Sequence, residues 1–314
     1  MGVSVITTIK NEENNIREFL DSLVTQSRTP DEIIITDGGS TDQTCDIIKT
    51  DYLPKHPHLK LIHEKCNIAK GRNLAIRASA HPIIAVTDAG CRIDKDWLKS
   101  LVEPLESEFS IDVVGGITIP DTKTKFEKVI GGFVAVTPDE MKSKPILISS
   151  RNIAFRKSIW EKVGGYPEWL YLSGEDTLFN TNLQNAHAQI RIVPEAIVYW
   201  HPISNFKKLY TQSFTYARGN GQAGLYKSLI LKTTIMYFLF ITLFIAGFHQ
   251  PLCWTFFGLL AIPYFTFSGY KLCRRLNDEN LFLTTIAVKF IIDLANLTGY
   301  PAGVYLRLTE NPAK

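Results

Sequence analysis

Between Lys232 and Lys271 the chain carries no Asp, Glu, Lys or Arg. Two apolar runs lie there, about 229–248 and 252–270. Each is close to the ~20 residues that a helix needs to cross a bilayer. The short, uncharged His249-Gln250-Pro251 between them suits the turn of a helical hairpin. Nearly all the carboxylates lie before residue 228 or so. The composition therefore divides the chain into a water-soluble domain, 1–228, and a C-terminal membrane region, 229–314. Lys207, Lys208, Lys227 and Lys232 precede the hairpin, and Lys271, Arg274 and Arg275 follow it. The preference of Lys and Arg for the cytoplasmic side puts both flanks there. A third apolar segment, about 281–306, holds Lys289 and Asp293 and contains Gly299-Tyr300-Pro301. Charges in mid-bilayer are costly, and this Gly-Tyr-Pro is expected to interrupt the helix. The segment therefore reads as an interfacial helix, with a third membrane crossing as the alternative.

The rest of the composition mainly excludes. A net charge of +3 over 314 residues, with no basic run interleaved with aromatics, gives no footprint for nucleic acid. Cys45, Cys66, Cys91, Cys253 and Cys273 stand singly, which supports neither a disulfide framework nor a spaced-cysteine zinc site. Reduced thiols in a cytoplasmic compartment are the plain reading. Gly2-Val3-Ser4-Val5-Ile6 reads as a strand rather than a leader, so the soluble domain is expected to face the cytoplasm.

Within that domain, strands alternate with helices. Val3–Thr8, Glu32–Thr36, Lys60–His63 and Ile83–Thr87 are short β-branched runs separated by helical periodicity. Near-continuous Val/Ile strands joined by helices imply an α/β fold with a mostly parallel sheet covered on both faces. Ligands of such sheets bind beyond the carboxyl ends of the strands. Two strands end in aspartate, Asp37 and Asp88, either of which could simply cap a helix. Two in one sheet, with Gly38 and Gly39 allowing a ligand close to the backbone, point to a nucleotide site.

Several blocks then resemble, in order, those of the family 2 inverting glycosyltransferases, which have the Rossmann-like GT-A fold. They are Ser4–Glu12, Glu32–Asp42, Asn67 with Gly71-Arg72-Asn73, Thr87–Cys91, Ser149–Arg156 with Gly164-Gly165-Tyr166, and Gly174-Glu175-Asp176. The resemblance covers roughly residues 2–225. It implies an enzyme that moves a sugar from a nucleoside diphosphate sugar to an acceptor, with Asp176 as catalytic base and Glu175 as the fallback. A carboxylate within reach of the acceptor hydroxyl can remove its proton as it attacks. Without the resemblance, Ser173, Glu175 and Asp176 could merely cap the following helix.

The same resemblance places Thr8, Glu12, Asp37, Arg72 and Asp88 at the nucleotide. It places a divalent cation, Mg2+ or Mn2+, on Asp88, with His201 of Tyr199-Trp200-His201-Pro202, at a family position that binds metal or diphosphate, as a second ligand, or with help from Asp94. The sequence departs from the family here, because Gly90 stands where Asp-x-Asp would supply another carboxylate. Asn152 is a candidate for the acceptor or donor sugar. Arg218, in Thr215–Gly221, is expected in a flap over the donor or in a turn. The Gln-x-x-Arg-Trp signature of processive synthases is absent, which favours one sugar per event. The membrane region suggests a lipid-linked or glycolipid acceptor at the cytoplasmic membrane face. The alternative is a catalytically silent membrane scaffold that only binds nucleotide sugar.

Overall fold

A computed structural model describes residues 1–135 and 148–310. The chain forms two compact units. The first comprises Met1–Asp121, Ala135–Tyr171 and Glu175–His201. The second comprises Thr122–Val134, Leu172–Gly174 and Pro202–Lys314.

The first unit is built on an eight-stranded sheet: β1 (Val3–Ile9), β2 (Glu32–Asp37), β3 (Leu59–His63), β4 (Ile83–Thr87), β5 (Cys91–Ile93), β6 (Val113–Pro120), β7 (Asn152–Arg156) and β8 (Ile190–Trp200). Their order is β3-β2-β1-β4-β7-β6-β8-β5. The β3-β2-β1-β4 half is parallel, as the Val/Ile runs imply. Beyond it the sheet is mixed, because β7 runs antiparallel to both β4 and β6. Helices α1 (Ile16–Val24), α2 (Thr44–Ile47), α3 (Ile68–Ala78), α4 (Trp97–Ser107), α6 (Lys157–Lys162) and α7 (Glu175–Asn185) belong to this unit. Alternate residues of β1 show how both faces are filled: Val3, Val5 and Ile9 enter one apolar cluster and Ile6 enters the other. Side chains of successive strand residues point to opposite faces, so a strand buried on both sides must be apolar throughout.

The second unit is helical: α5 (Lys125–Val134), α8 (Phe206–Ala223), α9 (Lys227–Ala246), α10 (Leu252–Leu276) and α11 (Phe282–Thr309). By length and composition, α9, α10 and the segment Glu279–Thr309 could each cross a membrane. The expected break at Gly299-Tyr300-Pro301 is absent, since α11 runs unbroken through Pro301. Packing against a neighbour explains this: a Cβ at Gly299 or Gly303 would overlap the α8 carbonyls of Phe214 and Arg218. Small residues thus bring the two backbones together, and that contact supports the turn that proline weakens.

Lys289 and Asp293 are one turn apart on α11 and form an ion pair. Asp293 is 3% exposed and also accepts the hydroxyls of Tyr237 on α9 at 3.1 Å and Tyr264 on α10 at 2.9 Å. A buried charge is tolerated when paired and hydrogen-bonded, and this one joins three helices. Helix α11 has further contacts near the start of α9 and in the second half of α10. Tyr300 donates to the Leu225 carbonyl at 2.8 Å, and Phe282 packs at Gly269. Removing one partner of a buried pair leaves the other uncompensated, at a cost of about 3–5 kcal/mol. Asp293→Ala should therefore lower thermal stability in detergent markedly, while Leu283→Ala on the exposed face of α11 should not.

Candidate active site

The carboxyl ends of β1, β2 and β4 bring Thr8, Asp37 and Asp88 to one edge of the sheet, with Glu12 in the loop after β1. That loop is tied to the one after β2. The Glu12 N–H donates to the Thr44 hydroxyl at 2.8 Å, the Asn11 N–H to the Ser40 hydroxyl at 2.9 Å, and the Thr41 N–H to Asn11 Oδ1 at 2.8 Å. Asn11 adopts φ +56° to do this, a conformation that Asn tolerates better than most residues. Thr8 Oγ1 is buried with no hydrogen-bond partner among the described residues, an unmet polar group near this edge. Burial, Asp88 and Asp42 raise the carboxyl of Glu12 above its ordinary range, with Asn15 opposing them.

Asp37 is fully buried. It accepts the Ser40 hydroxyl at 2.5 Å, the N–H groups of Ser40 at 3.1 Å and Gly39 at 3.2 Å, and lies 2.6 Å from His63 Nδ1. Burial alone would raise its pKa. The Ser40, Cys45 and Gly39 donors outweigh burial and hold it below the usual carboxylate range. Cys45 Sγ lies 4.0 Å from the same His63 nitrogen, and burial together with Asp37 pushes that thiol up to about 11.

At the centre of the site is Arg72. Helix α3 starts at an Asn67 cap, whose side chain accepts the Lys70 N–H, and directs Arg72 inward rather than to solvent. Its two terminal nitrogens reach Asp88 Oδ1 at 2.9 Å and Glu175 Oε1 at 2.8 Å, and the guanidinium lies 5.3 Å from the centre of the Tyr166 ring. Arg72 thus joins the aspartate after β4 to the helix that carries the two candidate bases. Burial raises the carboxyl of Glu175 although Arg72 opposes the rise, and neighbouring Asp176 adds to it. Asp176 is half-buried and accepts the Thr177 N–H of its own helix at 2.7 Å.

Asp88 has a second basic neighbour, Arg151, which motif reading does not single out. Its Nε lies 3.9 Å from Asp88 Oδ2, and its guanidinium lies 4.9 Å from the centre of the Trp200 ring. That Nε is buried without a hydrogen-bond partner among the described residues. The sequence hint was its place beside Asn152 in the Ser149–Arg156 block. Asn152 itself is fully buried. It donates to the carbonyls of Ile117 at 2.8 Å and Ala196 at 2.9 Å, and accepts Trp97 Nε1–H at 2.8 Å. These contacts all go to protein, so its observed environment is that of a sheet-bracing residue rather than one facing a sugar.

His201 is exposed, with Nδ1 3.5 Å from Asp121. It follows Trp200, which pairs with Cys91, so strand register sets it beside Gly90. Among the described residues nothing lies within 4 Å of a Cβ built on Gly90, which leaves open the space that a second aspartate would fill. Arg218 belongs to the second unit, in the interior of α8. The Thr215–Gly221 stretch is helical there, not a turn, because Asn205 caps a regular helix that runs to Ala223.

Arg72→Met would leave a buried Glu175 without its counter-charge, for a loss of about 3–5 kcal/mol. Thermal unfolding should show that loss. Arg72→Lys should recover only part of it, because an ammonium lacks the fork that serves both carboxylates.

The chain is similar to known sugar transferases along much of its length. Glycosyltransferase AglE from Haloferax volcanii is 26% identical over 73% of this chain and 76% of its own. The probable glycosyltransferase YdaM from Bacillus subtilis is 30% identical over 69% of this chain but 55% of its own. Among solved structures, S. aureus TarS superposes at a TM-score of 0.52 with 22% identity, over 68% of this chain and 65% of that one. A mannosyltransferase from Pyrobaculum calidifontis, solved with GDP-Man and Mn2+, reaches 0.53 with 17% identity, over 99% of this chain and 75% of that one. These two show that the GT-A fold is shared. Glycosyl transferase family 2 matches residues 4–164, just over half of the sequence, and the chain is therefore a glycosyltransferase of that family.

Proposed function

We propose that this enzyme transfers a sugar, with inversion, from a nucleoside diphosphate sugar to a lipid-linked acceptor at the cytoplasmic face of a membrane, with Asp176 as the base. The observation that carries this assignment is the different state of two adjacent carboxylates. Glu175 is buried and bound to Arg72. Asp176 is half-buried and joined to a backbone N–H of its own helix, which leaves carboxylate lone pairs for an incoming hydroxyl. A general base must lie within hydrogen-bond reach of the proton it takes, and a carboxylate held by a buried guanidinium is poorly placed for that. In the transfer, the acceptor oxygen forms a bond to the anomeric carbon as the bond from that carbon to the diphosphate oxygen breaks. The hydroxyl proton goes to Asp176.

The departing diphosphate carries negative charge away from the sugar. Arg151, beside Asp88 and with Nε hydrogen-bonded to none of the described residues, would offer it positive charge. Asp88 keeps Oδ2 free of hydrogen bonds from the described residues, and with His201 it suits a cation held by few protein ligands. Bound Mg2+ or Mn2+ would stabilise the diphosphate as a Lewis acid. The solved structures of TarS with UDP and of the mannosyltransferase with GDP-Man and Mn2+ support this class of donor. Thr8, Glu12 and Asp37 would line the base and ribose, with Arg72 holding that edge in place rather than meeting the base. Arg218 remains a candidate for contact with donor or acceptor.

The α9–α10 hairpin would anchor the enzyme, with Lys227, Lys232, Lys271, Arg274 and Arg275 in the cytoplasm. Helix α11, with Lys289 and Asp293 in its middle, would lie in the interface, because charges in mid-bilayer are costly. An anchored site raises the local concentration of a lipid-borne acceptor.

Asp176→Asn should reduce kcat by at least about a hundredfold without loss of UDP or GDP binding. Retention of wild-type kcat would remove Asp176 as the base. Gly90→Asp should reduce the Mn2+ concentration needed for half-maximal activity, since it adds a carboxylate where space is open. Equal rates on a soluble sugar and on a polyprenyl-linked saccharide in a bilayer would overturn the proposed acceptor class.

A further inference from the structure

Asp37, Cys45 and His63 come from three separate elements, β2, α2 and β3, and converge. Their ligand atoms all lie within 4.8 Å of one another, the one such group of three among the described residues. Asp37 and His63 are direct partners in the β2–β3 ladder, with Oδ2 and Nδ1 2.6 Å apart, and Cys45 Sγ is 4.0 Å from that nitrogen. Asp37 is oriented from behind by the Ser40 hydroxyl and the N–H groups of Gly39 and Ser40. Outer contacts of this kind orient metal-binding carboxylates. An ordinary carboxylate–imidazole hydrogen bond explains the first two residues, but it does not require a thiol as the third.

The donor set is one sulfur, one nitrogen and one oxygen. Mg2+ and Mn2+ favour oxygen, whereas Zn2+ takes thiolate, imidazole and carboxylate together in a tetrahedron with bonds of about 2.0–2.3 Å. Ligand atoms in such a tetrahedron stand roughly 3.3–3.8 Å apart. The 2.6 Å pair must open and the 4.0 Å pair must close slightly. His63 is largely exposed, its side chain 63% accessible, and has room to make that adjustment. Three protein ligands leave a fourth position open.

We propose that Asp37, Cys45 and His63 form a Zn2+ site at the carboxyl ends of β2 and β3, and that Zn2+ there excludes nucleotide. The exclusion rests on the reading of Asp37 as a nucleotide-contacting residue; the site itself does not. Zn2+ binds Nδ1 of neutral His63, whose ring proton then sits on Nε2, displaces the proton of the Cys45 thiol to solvent, and takes the Asp37 oxygen that a base N–H would otherwise use. This centre differs from Asp88 and His201, which offer no sulfur.

The test is a Co2+ titration of the full-length, metal-free protein in detergent. A thiolate-to-cobalt absorption band should appear, vanish on addition of Zn2+, and be absent from Cys45→Ser. His63→Ala should weaken Zn2+ binding at least tenfold in competition with a chromophoric chelator, with thermal unfolding confirming that both variants are folded. No band in the wild type, or an unchanged band in Cys45→Ser, overturns the site. Zn2+ should weaken UDP or GDP binding in the wild type but not in Cys45→Ser, and equal effects overturn the exclusion. If neither UDP nor GDP binds the zinc-free wild type with Mn2+ supplied, the nucleotide reading fails while the Co2+ result still decides the site.

Discussion

The buried guanidinium of Arg72 is the interaction on which the rest of the site depends. It bridges Asp88, at the end of a central strand, and Glu175, at the start of a helix more than eighty residues later in the chain. Three carboxylates, Asp88, Glu175 and Asp176, gather around one cation, and buried carboxylates without counter-charge would repel one another and resist desolvation. Pairing with Arg72 separates the two acidic neighbours by role. Glu175 becomes a structural partner, and Asp176 remains available to solvent. Tyr166 beneath the guanidinium is itself fixed by Asn73, which accepts the Tyr166 N–H at 2.9 Å and donates to its carbonyl at 2.8 Å. One helix therefore orders both the charged centre and the segment on which it rests.

A similar economy governs the edge formed by the ends of β1 and β2. The loops after β1 and β2 hold each other through Asn11, Ser40, Thr41 and Thr44, so Asp37 sits in a fixed frame of donors. The cation region is built differently. Gly90 supplies no oxygen, and the space it leaves is flanked by His201 in register and by Arg151 near Asp88. In the proposed site, positive charge from Arg151 would take a share of what an Asp-x-Asp site leaves to the metal.

In the helical unit the polar groups are equally concentrated. Asp293, Lys289, Tyr237 and Tyr264 form one cluster among otherwise apolar helices. In an apolar surrounding each polar atom must find an internal partner, and four side chains that satisfy one another fix three helices in register. The small residues Gly299 and Gly303 do the complementary task at α8, by letting backbones meet.

Much of this was legible in the residues themselves. Periodicity and β-branching gave the alternating α/β pattern, because strands buried on both faces must be apolar throughout. The uncharged stretch from Lys232 to Lys271 gave the hairpin, because apolar length is what a bilayer selects. Ordered blocks around Asp37, Asp88 and Asp176 gave the family, and with it the transferase chemistry. Other features depended on contacts between residues distant in sequence. Arg72 could not be distinguished from a surface charge until the fold set it between two carboxylates. Asn152 looked like a ligand contact until its amide was found bonded to two carbonyls and an indole. Cys45 and His63 carried no spacing signal, since strand register and a short helix bring them to Asp37. Pro301 should have ended a helix, and neighbouring packing carried the helix through it. Sequence encodes what acts locally, propensity, pattern and hydrophobic length, whereas the partner of a buried charge or an unpaired donor is settled only when the chain closes on itself.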